Sequence, residues 1–196
     1  MTSSAALFDM DGTLVDSTSA VETVWTEVAQ RYGLDAAEVL AVAHGVRAVD
    51  TMRRFLPESE VAAAVAYLEA RELTLLDGVV EIPGAVDFLA GLGTPWAVVT
   101  SASPALAHAR LRAAGIPVPS VLVTAADVEQ GKPAPDGYLL AAQRLGVAAS
   151  DCTVYEDAEA GIRAGLAAGA AVVVVGTWES ETTVGLQRIS DYRRVE

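Results

Sequence analysis

Short apolar runs alternate with longer runs of helical periodicity along most of the chain. Strand-like runs stand at 5–8, 96–99, 121–123, 152–155 and 171–175, and helical patterns fill about 84–92, 104–114, 136–145 and 158–168. A parallel pair of strands needs a crossover long enough to hold a helix, so this alternation predicts a Rossmann-like parallel sheet with helices on both faces. The helix ends are marked: Ser103 precedes Pro104, Pro135 precedes Asp136, and Gly115, Gly146 and Gly169 follow helical runs.

One stretch breaks the rhythm. Between 17 and 78 no run reads as a strand, and helical patterns cover 21–32 and 59–76. Asp77-Gly78 and then Pro83-Gly84 mark the return of the alternation. The expected organisation is an α/β core made of 1–16 and 79–196, with an all-helical insertion, 17–78, placed directly after the first strand.

Composition fits this picture and narrows the function. A length of 196 residues suits one main domain with a small insertion, and 52% hydrophobic with 20% charged residues allows an ordinary buried core. Aromatics are only 6%, so Ala and Val supply most of the apolar contacts. The net charge of −13, with no Lys/Arg run longer than two, repels nucleic acid and anionic membrane and argues against both as partners. The same field repels phosphate, so any phosphate site requires local positive charge. Cys152 is the single cysteine, which excludes an internal disulfide and suits a reducing cytoplasm. No signal peptide or transmembrane run is visible, and a cytoplasmic protein is expected. Cys152 and the three tryptophans, Trp25, Trp96 and Trp178, read as packing residues, with a cleft-facing position as the alternative for Trp25, and His108 reads as a structural helix residue.

Candidate chemistry gathers at the ends of the strand-like runs, where ligands bind in open parallel sheets. Asp9-Met10-Asp11-Gly12-Thr13 follows the first run, with Gly12 permitting a tight turn; alone, such a segment also suits a calcium loop or a solvated turn. Thr100-Ser101-Ala102-Ser103 precedes a helix and offers hydroxyls and free N–H groups to an anion, although Ser103 also suits a simple cap. Gly131-Lys132-Pro133-Ala134-Pro135 holds the only lysine of the chain between prolines, as a fixed cation. Glu156-Asp157 ends the fourth core run with adjacent carboxylates, which suit a hard cation or a helix N-terminus. Together these clusters place carboxylates, a hydroxyl and a cation at the ends of different strands, and a divalent ion with Lys132 would create the positive pocket the chain otherwise lacks.

With these motifs in this order, the chain resembles the haloacid dehalogenase-like (HAD) superfamily of phosphotransferases. The branch is that of β-phosphoglucomutase-like enzymes and small sugar- or polyol-phosphate phosphatases, in which a helical cap follows the first motif. The likeness runs from Leu7-Phe8-Asp9-Met10-Asp11-Gly12-Thr13-Leu14 to Tyr155-Glu156-Asp157-Ala158-Glu159-Ala160-Gly161-Ile162. It implies a phosphatase of small phosphate monoesters in which Asp9 becomes a transient aspartyl phosphate. Asp11 protonates the leaving oxygen and then activates water, while Ser101, Ala102 and Lys132 hold the phosphoryl group. Mg²⁺ is the implied cofactor, held by Asp9, the backbone carbonyl of Asp11, Asp157 and, through water, Glu156. The implied partner is a small phosphorylated metabolite, with the chain acting as a monomer or homodimer.

His44-Gly45-Val46-Arg47 in the insertion resembles the cap loop of sugar- and polyol-phosphate phosphatases. There Gly45 would approach the substrate while His44 and Arg47 contact its hydroxyl or phosphate groups; a solvated helix–loop junction is the alternative for these two. A phosphosugar mutase would use the same four motifs, but the family's mutases carry a cap histidine where this chain has Val21. A phosphonatase would need a cap lysine, and the insertion has none. Phosphoglycolate phosphatase is a further alternative, and a non-catalytic relative is disfavoured because no motif residue is lost.

Overall fold

The first apolar run becomes a central strand, β1 (Ala5–Phe8), buried along its whole length. In the computed structural model, which describes residues 4–193, the chain then forms β2 (Val15–Asp16) and four helices, α1 (Thr18–Arg31), α2 (Ala36–Ala43), α3 (Ala48–Phe55) and α4 (Glu58–Thr74). It continues through β3 (Val80–Glu81), α5 (Ala85–Gly91), β4 (Trp96–Val99), α6 (Pro104–Ala113), β5 (Val121–Val123) and α7 (Asp136–Leu145). The last elements are β6 (Cys152–Glu156), α8 (Glu159–Ala167), β7 (Ala171–Val175) and β8 (Gln187–Ile189).

Six strands form one parallel sheet in the order β5-β4-β1-β6-β7-β8. Successive strand residues face opposite ways. Ala6 and Phe8 therefore join Val98, Leu89 and Leu111 in the layer under α5 and α6. Ala5 and Leu7 join Val99, Val154, Tyr138 and Ile162 under α7 and α8. Helices on both faces explain why these strands read as unbroken apolar runs rather than alternating ones. The strand order reverses at β1, which has β4 on one side and β6 on the other, so a crevice opens beyond its carboxyl end.

Helices α1–α4 build a separate apolar cluster around Val24, Trp25, Val28, Val39, Met52 and Leu68. A two-stranded antiparallel ribbon, β2 with β3, ties together the points where the chain enters and leaves these helices. The short elements α2, α3, β2, β3 and β8 are absent from the sequence reading. Eight-residue helices form through packing rather than periodicity; α2 also has Asp35 accepting from the N–H groups of Ala37 and Glu38 at 2.8 and 3.1 Å. β8 is a polar edge strand with two exposed residues, so no apolar run announces it. Trp178 is a correction: it is 45% exposed and its indole N–H donates to Glu159, so it is not a core residue. Among the described residues no helix is long and apolar enough to cross a membrane.

Candidate active site at the carboxyl edge of the sheet

β6 runs one residue further than the apolar pattern suggests and carries Glu156 into the interior, where it is 0% exposed. A buried carboxylate requires donors, and this one has four. Oε1 accepts from Lys132 Nζ at 2.6 Å and Tyr138 Oη at 2.8 Å, and Oε2 from the N–H groups of Asp157 and Ala158 at 3.0 and 3.2 Å. Space for it exists because position 161 is glycine: a Cβ there would lie 1.5 Å from Oε1.

The Lys132 ammonium bridges from Glu156 to Asp9, 2.5 Å from Asp9 Oδ1. Burial pulls the lysine pKa down, but the carboxylates of Asp9 and Glu156 outweigh it and hold the ammonium charged. Burial also raises Asp9 well above the usual carboxylate range, with Lys132 opposing. Asp157 completes the group. Its Oδ1 accepts from Thr13 Oγ1 at 3.2 Å, and its Oδ2 faces His44 Nε2 at 2.9 Å. That hydrogen bond lifts the imidazole pKa to about 9 against the opposing effect of burial. Gly12, at φ +84, lets the chain pass close to this carboxylate, since a Cβ there would fall 2.0 Å from Asp157 Oδ2.

Ligand oxygens of Asp9, Glu156 and Asp157 lie within 4.8 Å of one another, an all-oxygen set of the kind that suits a hard divalent cation. Glu156 already serves four donors, so it enters this set chiefly through the residues it holds. The Asp11 carboxylate stands apart from the set. It accepts from Ser17 Oγ at 2.7 Å and from Arg110 Nη1 at 3.0 Å.

The residues at the end of β4 divide their work. Ser103 caps α6, accepting from Leu106 N at 3.4 Å, while Ser101 Oγ donates across to the Gly45 carbonyl at 2.9 Å. Ala102 lies beside them in the same cleft wall. Gly45, at φ +72, lets the 44–47 loop settle on the start of α8, where a Cβ would meet that of Ala158 at 2.9 Å. Arg47 is not among the cleft-lining residues. Its Nε pairs with Asp50 at 2.6 Å, and its Nη1 donates to the carbonyls of Val128 and Glu129 at 3.3 and 3.0 Å. It fastens the helical layer to the loop that carries Lys132.

Between the helices and the sheet edge is a cleft of about 190 Å³ whose lining includes Asp9, Asp11, Ser101 and His44. Glu22, Trp25, Leu68, Glu69, Glu72 and Arg110 line it as well. The Arg110 guanidinium is buried and donates Nη2 to Glu72 Oε1 at 2.9 Å as well as Nη1 to Asp11. Glu72 is raised by burial, with Arg110 opposing. The sequence reading missed both residues, although each carried a signal: Glu72 continues the buried stripe of Ala64 and Leu68, and Arg110 occupies the face of Leu106 and Ala107. A charged residue at an apolar position of a helix needs a buried partner.

Comparison with known proteins agrees with this geometry. Residues 4–169 match the haloacid dehalogenase-like hydrolase family. Hexitol phosphatase A of Escherichia coli (strain K12) is 50% identical over 175 residues, which span 86% of this chain and 81% of that protein. 2-Deoxyglucose-6-phosphate phosphatase 1 of Saccharomyces cerevisiae is 36% identical, over 85% of this chain and 77% of that protein. Among solved structures, a hydrolase from Pseudomonas syringae superposes with a TM-score of 0.88 at 23% identity, covering 96% of this chain and 94% of that one, a likeness of fold.

Proposed function

Because the chain belongs to the haloacid dehalogenase-like hydrolase family, we propose that it is a Mg²⁺-dependent phosphatase of sugar or polyol phosphates working through an aspartyl phosphate on Asp9. The observation that carries this reading is the triangle of Asp9, Lys132 and Asp157 at the end of β1. It holds a buried carboxylate against a fixed ammonium, with a second carboxylate close enough to share a cation. The relatives named for hexitol and 2-deoxyglucose 6-phosphate point to a hydroxyl-rich substrate. Helices 17–78 act as the cap over a core of 1–16 and 79–196.

In the first step an Asp9 carboxylate oxygen bonds to phosphorus and the ester P–O bond breaks. Asp11 passes its proton to the departing oxygen, for which it must exchange Arg110 and Ser17 for the substrate. In the second step water attacks the aspartyl phosphate, Asp11 takes the water proton, and Asp9 is released with inorganic phosphate. Lys132 and Ser101 hold the equatorial phosphoryl oxygens, with Ala102 beside them, while His44 and Gly45 close the mouth of the cleft. Phosphoryl transfer asks mainly for positioning and charge stabilisation, which a fixed ammonium supplies. Asp9, Asp157 and the Asp11 carbonyl, with Glu156 behind them, would hold Mg²⁺, which when bound would supply the remaining positive charge that a dianionic substrate requires. Val21 lines the cleft where the family's mutases carry histidine, which favours hydrolysis over mutase chemistry.

The test is phosphate release from a panel of hexitol, deoxyhexose and glycerol phosphates and p-nitrophenyl phosphate, with MgCl₂ or EDTA. Mg²⁺ should also raise the melting temperature of the wild type and not of Asp157→Asn, since a ligand of the folded state alone stabilises it. No release from any ester with Mg²⁺, or full turnover by Asp9→Asn, would overturn the reading.

A further inference from the structure

We propose that Glu72 makes the cleft select phosphate esters with an uncharged, hydroxyl-rich leaving group, by keeping the Arg110 guanidinium committed and neutralised; this rests on the phosphatase reading above. Among the described residues, Arg110 is the only basic side chain lining the cleft apart from His44. At first sight it is a receptor for an anionic group on the substrate. Its partners already neutralise it. Each Nη nitrogen already donates to a carboxylate, Asp11 at 3.0 Å and Glu72 at 2.9 Å, the side chain is 5% exposed, and Nε is buried with no partner.

The balance of charge follows. One guanidinium faces two carboxylates, and Glu22 and Glu69 add two more on the cap side of the same cleft. A leaving group carrying a carboxylate or a second phosphate must displace Glu72 from Arg110 or stand against this surplus, and either is costly in a partly desolvated cleft. Sugar and polyol hydroxyls meet the opposite situation. They are donors among acceptor oxygens, Ser17 and Thr18 add two-way hydroxyls, and Trp25 and Leu68 offer an apolar wall to the carbon chain. The repulsive element does the discriminating, as in other sites that reject a close competitor. The cleft therefore turns away phosphoglycolate and sugar bisphosphates while accepting hexitol and sugar monophosphates.

Glu72→Gln preserves shape and a carbonyl acceptor for Arg110 while deleting one negative charge. The measurement is kcat/KM for mannitol 1-phosphate and for 2-phosphoglycolate, with p-nitrophenyl phosphate reporting the Asp9 and Lys132 end of the site alone; both alkyl esters need a proton from Asp11, so their ratio cancels any change there. The ratio of phosphoglycolate to mannitol phosphate should rise at least about tenfold, the scale of one unit charge removed about 12 Å away at an effective dielectric near 20, and more if the two charges sit closer. A merely structural role would lower both esters alike and leave the ratio unchanged, which overturns the proposal. Glu69→Gln, half-buried and outside the bridge, should shift the ratio the same way by less, and it carries the test if Glu72→Gln fails to fold. A wild type that prefers phosphoglycolate also overturns the proposal. A wild type inert even on p-nitrophenyl phosphate overturns the phosphatase reading itself and the proposal with it.

Discussion

Replacing Gly161 by alanine tests how firmly the site rests on one buried carboxylate. The added methyl would lie 1.5 Å from Glu156 Oε1, 2.0 Å from Cδ and 2.5 Å from Oε2, so it meets the whole carboxyl group rather than the tip of a mobile chain. Real Cβ atoms keep 3.0 Å from such neighbours, so the carboxylate must retreat by about 1.5 Å. Its bonds to Lys132, Tyr138, Asp157 N and Ala158 N, now 2.6 to 3.2 Å long, cannot all survive that movement. Hydrogen bonds to a charged group are worth roughly 1.5–3 kcal/mol each, and breaking a buried ion pair costs roughly 3–5 kcal/mol. Alanine in place of glycine inside α8 returns only about 0.5–1 kcal/mol of that.

The net loss should therefore be about 3 kcal/mol, and the melting temperature should fall by roughly 6–12 °C for a chain of this size. Turnover should fall as well, because Lys132 loses the partner that fixes it opposite Asp9. The assays are urea unfolding, read at constant slope, and phosphate release. Gly91→Ala is the control. It ends α5, and a Cβ there meets nothing within 4 Å, so stability should hold or rise by a few tenths of a kcal/mol. Gly161→Ala matching this control in both stability and activity would refute the reasoning.

Lys132→Met should abolish turnover and cost roughly 3–5 kcal/mol, because it leaves Asp9 and Glu156 facing each other without their shared cation; unchanged urea midpoints would contradict this. Glu159, although burial alone would raise it, is drawn down from its ordinary 4.5 to about 2 by hydrogen bonds from Ser180, Thr182, Arg163 and Trp178. Its folded pKa is depressed, so its contribution is present above about pH 4.5 and lost as pH falls toward 2; the melting-temperature gap between wild type and Glu159→Gln should close over that window. Arg47→Ala should free the cap loop from the Lys132 loop, lowering kcat/KM for a hexitol phosphate about tenfold or more while p-nitrophenyl phosphate changes less. Equal loss on both esters would place Arg47 in the chemistry or the fold instead.

The core was legible because its strands are covered on both faces, so β1, β4, β5 and β7 stand in the sequence as apolar runs with sharp ends. The motif residues were legible for the same reason, since each follows such an end. What local pattern cannot carry is direction and partnership over distance. Glu156 and Asp157 are neighbours in the chain, yet one is buried under four donors and the other faces His44 from the cap. Arg47 looked like a substrate contact because it stands in the cap loop beside Gly45; besides the nearby Asp50, its partners are carbonyls more than eighty positions away. Glu72 and Arg110 are 38 positions apart on helices from different layers, and only the packing of α4 against α6 brings them together.

That packing reveals a parallel between the two aspartates of the Asp9-Met10-Asp11 segment. Asp9 shares Lys132 with Glu156, and Asp11 shares Arg110 with Glu72. In each case the glutamate is the more deeply buried partner of the shared cation. A strongly acidic chain thus holds two cations at this edge of the sheet, each shared between a glutamate and an aspartate. The arrangement also explains why the glutamates cannot be treated as scaffolding. An Arg110 freed of Glu72 would bind Asp11 more tightly and resist its release to the leaving oxygen, a burden that falls on alkyl esters more than on p-nitrophenyl phosphate, whose leaving group departs without a proton.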